Sequence, residues 1–218
     1  ADKGEIGWLA MGFVGSANYS VVPPVIREFR RRFPNVELTL TEMNTNQQLE
    51  ALLDGRIQVG FLRSPRGMEE KGLVVEPCFR EPLMVALPRN HPLKKETSLP
   101  LRLLANDSFI MIPRQRGPGY FDDLIVLCQK EGFSPHVVLE ASQFHTVIGL
   151  VAAGIGIAVV PTSMERSRIE GVVFRKIADK AETVLDMTWL AGSESLVLHN
   201  FLDVARKVVR SLRYRKTL

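Results

Sequence analysis

The chain has 218 residues, 45% of them hydrophobic and 24% charged. That balance suits one large globular domain or two small ones, and excludes a disordered, collagenous or disulfide-stapled protein. The net charge of +4 gathers at the carboxyl end, in Arg206, Lys207, Arg210, Arg213, Arg215 and Lys216. With no helix-turn-helix or aromatic-studded basic sheet beside it, this excess reads as a solvated helix face, not a specific nucleic-acid surface.

Residues 1–5 carry no apolar signal region, so no secretory peptide is expected. The longest apolar run, around Val147–Pro161, is broken by Gly149, Gly154 and Gly156. It falls short of the ~20 apolar residues of a membrane helix, and no membrane contact is expected. Cys78 and Cys128 have no metal-ligand spacing and read as buried thiols.

The elements follow in an informative order. Residues 6–14 are short and apolar, as in a buried strand. Pro23 and Pro24 suit the first turn of a helix, with Val22, Ile26, Phe29 and Phe33 on one face and Arg27, Arg30, Arg31 and Arg32 on the other. A strand is expected over residues 36–43. Thr45 and Gln48 then have the spacing of a capping box, Leu49, Leu52 and Leu53 form an inward stripe, and Gly55 is the stop. Ile57, Val59 and Phe61 alternate as a third strand. This β-α-β-α-β order implies a parallel sheet with helices packed on it.

The pattern restarts with a strand over residues 83–87. Strands over 109–112, 137–139 and 157–160 follow, with helices over 118–132 and from Ser142, as cap, to Ala153. Strands over 172–177 and 184–190 and a helix over 196–212 complete the chain. The expectation is an α/β fold of two Rossmann-like lobes. The first lobe spans 1–81 and 183–218 and the second 82–182, joined by a two-stranded hinge near 80–84 and 178–183 that suits closure on a ligand.

In such folds ligands collect where parallel strands end and helices begin, and helix amino termini favour anions. Ser16, Ala17 and Asn18 follow the first strand; Thr45 and Asn46 follow the second. Each turn offers a hydroxyl beside backbone amides, equipment for holding a carboxylate, and both hydroxyls are also expected to cap helices. Arg63, just past the third strand, reads either as a cation facing the ligand or as partner to a glutamate. In the second lobe, Pro118, Gly119 and Tyr120 precede a helix. Tyr120 is either a ligand-facing ring or a core aromatic with a satisfied hydroxyl. Phe144, Thr146 and Pro161-Thr162-Ser163 complete the candidate pocket. His91, His136, His145 and His199 are scattered and no HExxH, GxSxG or Walker-type stretch occurs. Neither catalysis, nor a metal, nor a cofactor is expected.

Residues 6–13, the Pro23–Pro34 segment, 49–61 (LEALLDGRIQVGF), 82–88 with His91-Pro92-Leu93, and 150–161 (LVAAGIGIAVVP) together resemble the effector domains of LysR-type transcriptional regulators. Residues 12–16 and 42–45 are most similar to the branch that responds to benzoate, muconate and related acids. The resemblance implies a type 2 periplasmic-binding-protein-like fold, and an effector carboxylate held by Ser16 and Thr45. It further implies a cytoplasmic homodimer or homotetramer that contacts promoter DNA through an amino-terminal winged helix-turn-helix absent from this chain, with RNA polymerase as a further partner. Gly119 and Tyr120 depart from the branch's more usual polar residue and Phe, which leaves the identity of the acid open. The rival readings are a transporter's solute-binding protein, which shares the two-lobed plan, and a small two-lobed enzyme.

Overall fold

The structure, a computed structural model, describes residues 4–65, 67–68, 71–193 and 195–215, with side chains through Leu212. The side chains of Arg213 and Arg215, and Lys216 altogether, lie outside the described residues, as do residues 1–3. The chain divides into a first unit of Ala1–Phe79 and Val184–Leu218 and a second of Arg80–Thr183.

In the first unit β1 (Gly7–Phe13) pairs in parallel with β2 (Val36–Glu42) on one side and β3 (Val59–Leu62) on the other. Two helices make those parallel connections: α1 (Val22–Arg32) after β1 and α2 (Thr45–Leu53) after β2. Strand β10 (Glu182–Leu190) then joins β3 in antiparallel fashion, and α5 (Leu196–Arg215) follows it. β1 is buried on both faces, which is why its sequence is a near-continuous apolar run and does not alternate. Leu9 and Met11 face a core shared with Val25 and Phe29 of α1 and Phe201 of α5. Ala10 faces Leu49 and Leu52 of α2. Phe201 sits edge-on to Phe29 at 5.2 Å and to Phe61 at 6.2 Å, a favourable arrangement for aromatic rings. The inward face of α1 is Val22, Val25 and Phe29. Ile26 and Phe33, expected there, are only partly buried, because the helix turns its Val25 side to the sheet.

In the second unit β4 (Leu73–Pro88), whose second half belongs here, pairs antiparallel with β8 (Ala158–Pro161) and β9 (Val172–Ile177). A two-residue β5 (Ser98–Leu99) joins β9 in parallel. β6 (Ser108–Met111) pairs in parallel with β7 (His136–Glu140), and its own amides and carbonyls reach Ile157 just before β8. Helices α3 (Pro118–Lys130) and α4 (Phe144–Ala152) provide the crossovers. Two details correct the sequence expectations. β4 extends ten residues upstream of the expected strand start at 83, through Pro77 and Pro82. The cap of α4 is Gln143 and not Ser142, and it makes no side-chain bond. Cys78 and Cys128 are buried thiols outside any disulfide, as expected. No helix among the described residues is long and apolar enough to cross a membrane.

Candidate functional site

Register decides what meets in the first unit. Phe13, the last residue of β1, stands opposite Glu42 of β2 and Phe61 of β3, so three parallel strands end on one edge. The exits are tied together: Val14 N–H donates to Phe61 O at 2.9 Å, and Met43 N–H donates to Phe13 O at 3.0 Å. The three loops leaving this edge carry Ser16, Thr45 and Arg63, which sequence reasoning had named separately.

Ser16 is buried, and its hydroxyl accepts a hydrogen bond from Nη1 of Arg63 at 2.8 Å. Arg63 is itself only 5% exposed. A cation withdrawn from water in this way is held by hydrogen bonds to fixed acceptors. The expectation that Ser16 caps a helix is overturned. The cap of the short 3₁₀ turn Gly15–Tyr19 is Val14 and that of α1 is Val21, and neither makes a side-chain capping bond. Ala17 is buried in the core and its N–H donates to Val14 O, so its amide is spent inside the turn. Asn18 is exposed.

Thr45 does not cap α2 either. The cap is Asn44, one residue earlier, whose Oδ1 accepts from Gln47 N–H at 3.1 Å while Gln47 Oε1 accepts from Asn44 N–H at 3.0 Å. Asn44 has extended backbone angles, and Thr45 becomes the first helical residue with a buried side chain, beside a half-buried Asn46. Gln48, expected as the second half of the box, has another task. Its Nε2 donates to Met43 O at 3.0 Å and to Phe61 O at 3.3 Å. Beyond Arg63 the chain is held by β10: Ser64 N–H donates to Asp186 Oδ2 at 3.1 Å, and the Ser64 and Thr188 hydroxyls lie 3.4 Å apart. Sequence reasoning missed Gln48, Asp186 and Thr188. A buried polar residue on the inward face of α2 was the available signal for Gln48; nothing local marked the other two.

In the second unit, Pro118 and Gly119 open α3 after Gly117. Tyr120 is 4% exposed, its hydroxyl donates to Val159 O, and its ring meets Phe144 edge-on at 4.9 Å. Of the two readings of Tyr120, the core aromatic with a satisfied hydroxyl is the one observed. Phe144 is half-buried at the start of α4, with Thr146 in the same turn. Pro161 is buried opposite Leu83. Ser163 N–H donates to Oε2 of the buried Glu81 at 2.9 Å, while the Thr162 and Ser163 hydroxyls have no hydrogen-bond partner among the described residues. His91 is engaged through both ring nitrogens, with Leu93 N–H on Nδ1 and Asp107 on Nε2. Among the described residues no three His, Cys, Asp or Glu side chains gather as a metal site.

The chain matches the sequence pattern described as the LysR substrate binding domain over residues 2–210. It is 38% identical over 175 residues to the HTH-type transcriptional regulator AlsR of Bacillus subtilis (strain 168), covering 80% of this chain and 57% of that protein. It is 36% identical over 177 residues to the regulator CatR of Pseudomonas putida, covering 81% and 60%. The chain thus spans about three fifths of the length of these relatives. Among solved structures, the BenM effector binding domain with its effector benzoate shares 27% identity over 94% of this chain and 93% of that one, with a TM-score of 0.81. These relatives are named regulators, which sets aside both the transporter-carrier and the enzyme readings, and the matched structure has the expected two-lobed, type 2 periplasmic-binding-protein-like fold. The chain belongs to the LysR substrate-binding-domain family.

Proposed function

We propose that this chain is the effector-sensing part of a LysR-type transcriptional regulator and that it binds a small carboxylate, an aromatic acid or a muconate-like acid. The observation that carries the reading is that the three loops leaving one strand edge bear Ser16, Thr45 and Arg63, with the Ser16 hydroxyl 2.8 Å from the buried Arg63 guanidinium and the Thr45 side chain buried at the start of α2. That set suits a carboxylate, which accepts charge-assisted hydrogen bonds from such groups. In this reading Ser16, Thr45 and Arg63 hold the acid head, with Ala17, Asn18 and Asn46 lining the turns. In the second unit, Pro118, Gly119, Phe144 and Pro161 are kept as candidate effector contacts, whereas Tyr120 is spent in the core. The benzoate bound by BenM supports an aromatic acid as the first ligand to try.

The whole regulator would be a cytoplasmic homodimer or homotetramer. It would contact promoter DNA through a winged helix-turn-helix outside this chain, with RNA polymerase as a further partner. Effector binding acts by population shift: it favours whichever arrangement of the regulator binds it better, and can move the equilibrium only by that difference in affinity.

Thermal unfolding against benzoates, salicylates, catechols, muconates and small dicarboxylates tests this. A specific ligand at ~100 times its dissociation constant adds ~2.7 kcal/mol. A saturable rise for one or two acids, lost in Ser16→Ala and Thr45→Ala, supports the reading. A rise that survives both substitutions removes these residues from the site.

A further inference from the structure

We propose that Gln48 is a positioning residue for the effector site and sets the spacing of the segments that carry Thr45 and Arg63. The inference rests on the reading of that edge as the effector site. Gln48 is fully buried beneath the strand edge. Its Nε2 donates to Met43 O, two residues before Thr45, and to Phe61 O, two residues before Arg63. Phe61 O also accepts from Val14 N–H, on the loop that leads to Ser16. One amide therefore joins all three exits through two carbonyls.

Two further observations separate positioning from plain packing. First, Oε1 of Gln48 has no hydrogen-bond partner among the described residues. A buried orphan acceptor opposes folding, so burial of the side chain alone does not account for an amide here. What the amide adds is its pair of donations. Second, the sheet beneath leaves room for it. A Cβ on Gly60 would lie 2.8 Å from Gln48 Oε1, and one on Gly12 would lie 2.9 Å from Gln48 Cγ and 3.1 Å from Oε1. These two glycines face one another across β1 and β3 and form the seat of the amide.

The test uses two variants of the 218-residue chain. Gln48→Met keeps the volume and removes the donors; Gly60→Ala keeps the amide and pushes on it. In ligand-free protein, amide hydrogen exchange should quicken in segments 43–47 and 61–64 of both variants while β1 and α5 are unchanged. The dissociation constant for benzoate, measured by calorimetry on the folded protein, should rise roughly tenfold in Gln48→Met, the size expected from losing one well-placed hydrogen bond. A residue serving stability alone would lower the midpoint of unfolding and leave both readouts unmoved. That result in either variant overturns the proposal. Ser16→Ala run alongside keeps the two ideas apart. Weak binding in Ser16→Ala with unaltered binding in Gln48→Met sinks only the positioning role. Unaltered binding in Ser16→Ala sinks the site reading, and no benzoate binding by the wild type sinks benzoate as the effector. The exchange data then still decide whether Gln48 fixes the two segments.

Discussion

Arg63 and Ser16, 47 positions apart in the chain, are joined by a 2.8 Å hydrogen bond in which the guanidinium donates to the hydroxyl. Both are buried, so the bond is shielded from water and worth more than a surface contact. Ser16→Ala removes an acceptor from a buried cation. Hydrogen bonds to charged groups contribute ~1.5–3 kcal/mol. We expect Ser16→Ala to lose about 1–2 kcal/mol in urea unfolding and, on the proposed reading in which the carboxylate meets both residues, proportionally more in effector affinity. Equal stability in the variant and wild type would show that the bond contributes nothing to the fold.

The turn around Asn44 shows how far the sequence speaks for itself. Thr45 and Gln48 satisfy a capping-box spacing, but so do Asn44 and Gln47, one position earlier. Met43 N–H is already committed to Phe13 O. That bond holds the chain extended through Asn44 and lets the helix begin at Thr45. Local pattern gave two registers, and a bond to another strand chose between them. The same holds for β4, expected to start at 83, just after Pro82, but observed from Leu73 through Pro77 and Pro82. Proline removes a donor but is tolerated in a strand where no ladder bond needs its N–H. The chain order of the elements, Leu49 and Leu52 on the buried face of α2, and the three exit loops were legible because they follow from apolar period and turn chemistry; Leu53, expected on that face, is exposed at the last turn. The partners of Ser64 were not, since Asp186 lies 122 residues away and no local pattern encodes such a pairing.

Glu28 gives a pH prediction. Hydrogen bonds from Arg31 and Arg32, three and four residues further along the helix and so on the same face, pull its carboxyl from the usual 4.5 down to about 2. A carboxyl whose folded value is depressed contributes stability above its unfolded value, and loses it as pH falls toward the folded one. The window therefore runs from about pH 4.5 down to about 2. In Glu28→Gln the slope of stability against pH should be shallower across that window, and the two proteins should converge near its lower end. A carboxyl titration of Glu28 followed by NMR with a midpoint near 4.5 would contradict the geometry.

Cys128 points the other way. Burial on the inward face of α3 pushes its thiol from 9.0 up to about 11. The neutral thiol is the form the fold accepts. Below pH 9 both folded and unfolded chains carry it neutral and the contribution is intact; between 9 and 11 the unfolded chain ionises first, and stability is lost as pH rises. The thiolate is the reactive species. Native protein at pH 8 should therefore leave Cys128 unlabelled by a thiol reagent over hours, and label it at the rate of unfolding once denaturant is added. Cys128→Ser should place a hydroxyl where the thiol was and flatten the alkaline slope. Fast labelling of native Cys128 would place the thiol at the surface.

Gly156 stands where two backbones approach too closely for a side chain. A Cβ there would lie 2.4 Å from the carbonyl oxygen of Ser108, and the neighbouring Ile157 exchanges hydrogen bonds with Ser108 and Ile110. The obstacle is backbone, which cannot rotate aside as a flexible side chain can. Gly156→Ala must push β6 away from the start of β8 and strain those bonds. Overpacking of this kind costs ~1–3 kcal/mol. We expect the loss in denaturant unfolding to reach the upper part of that range, with faster amide exchange at Ile110 and Ile157. Gly149, whose Cβ would meet nothing within 4 Å, is the control: it lies inside α4, and Gly149→Ala should stabilise by ~0.5–1 kcal/mol through helix propensity alone. If the two substitutions behave alike, the contact between Ser108 and Gly156 is looser than its geometry states.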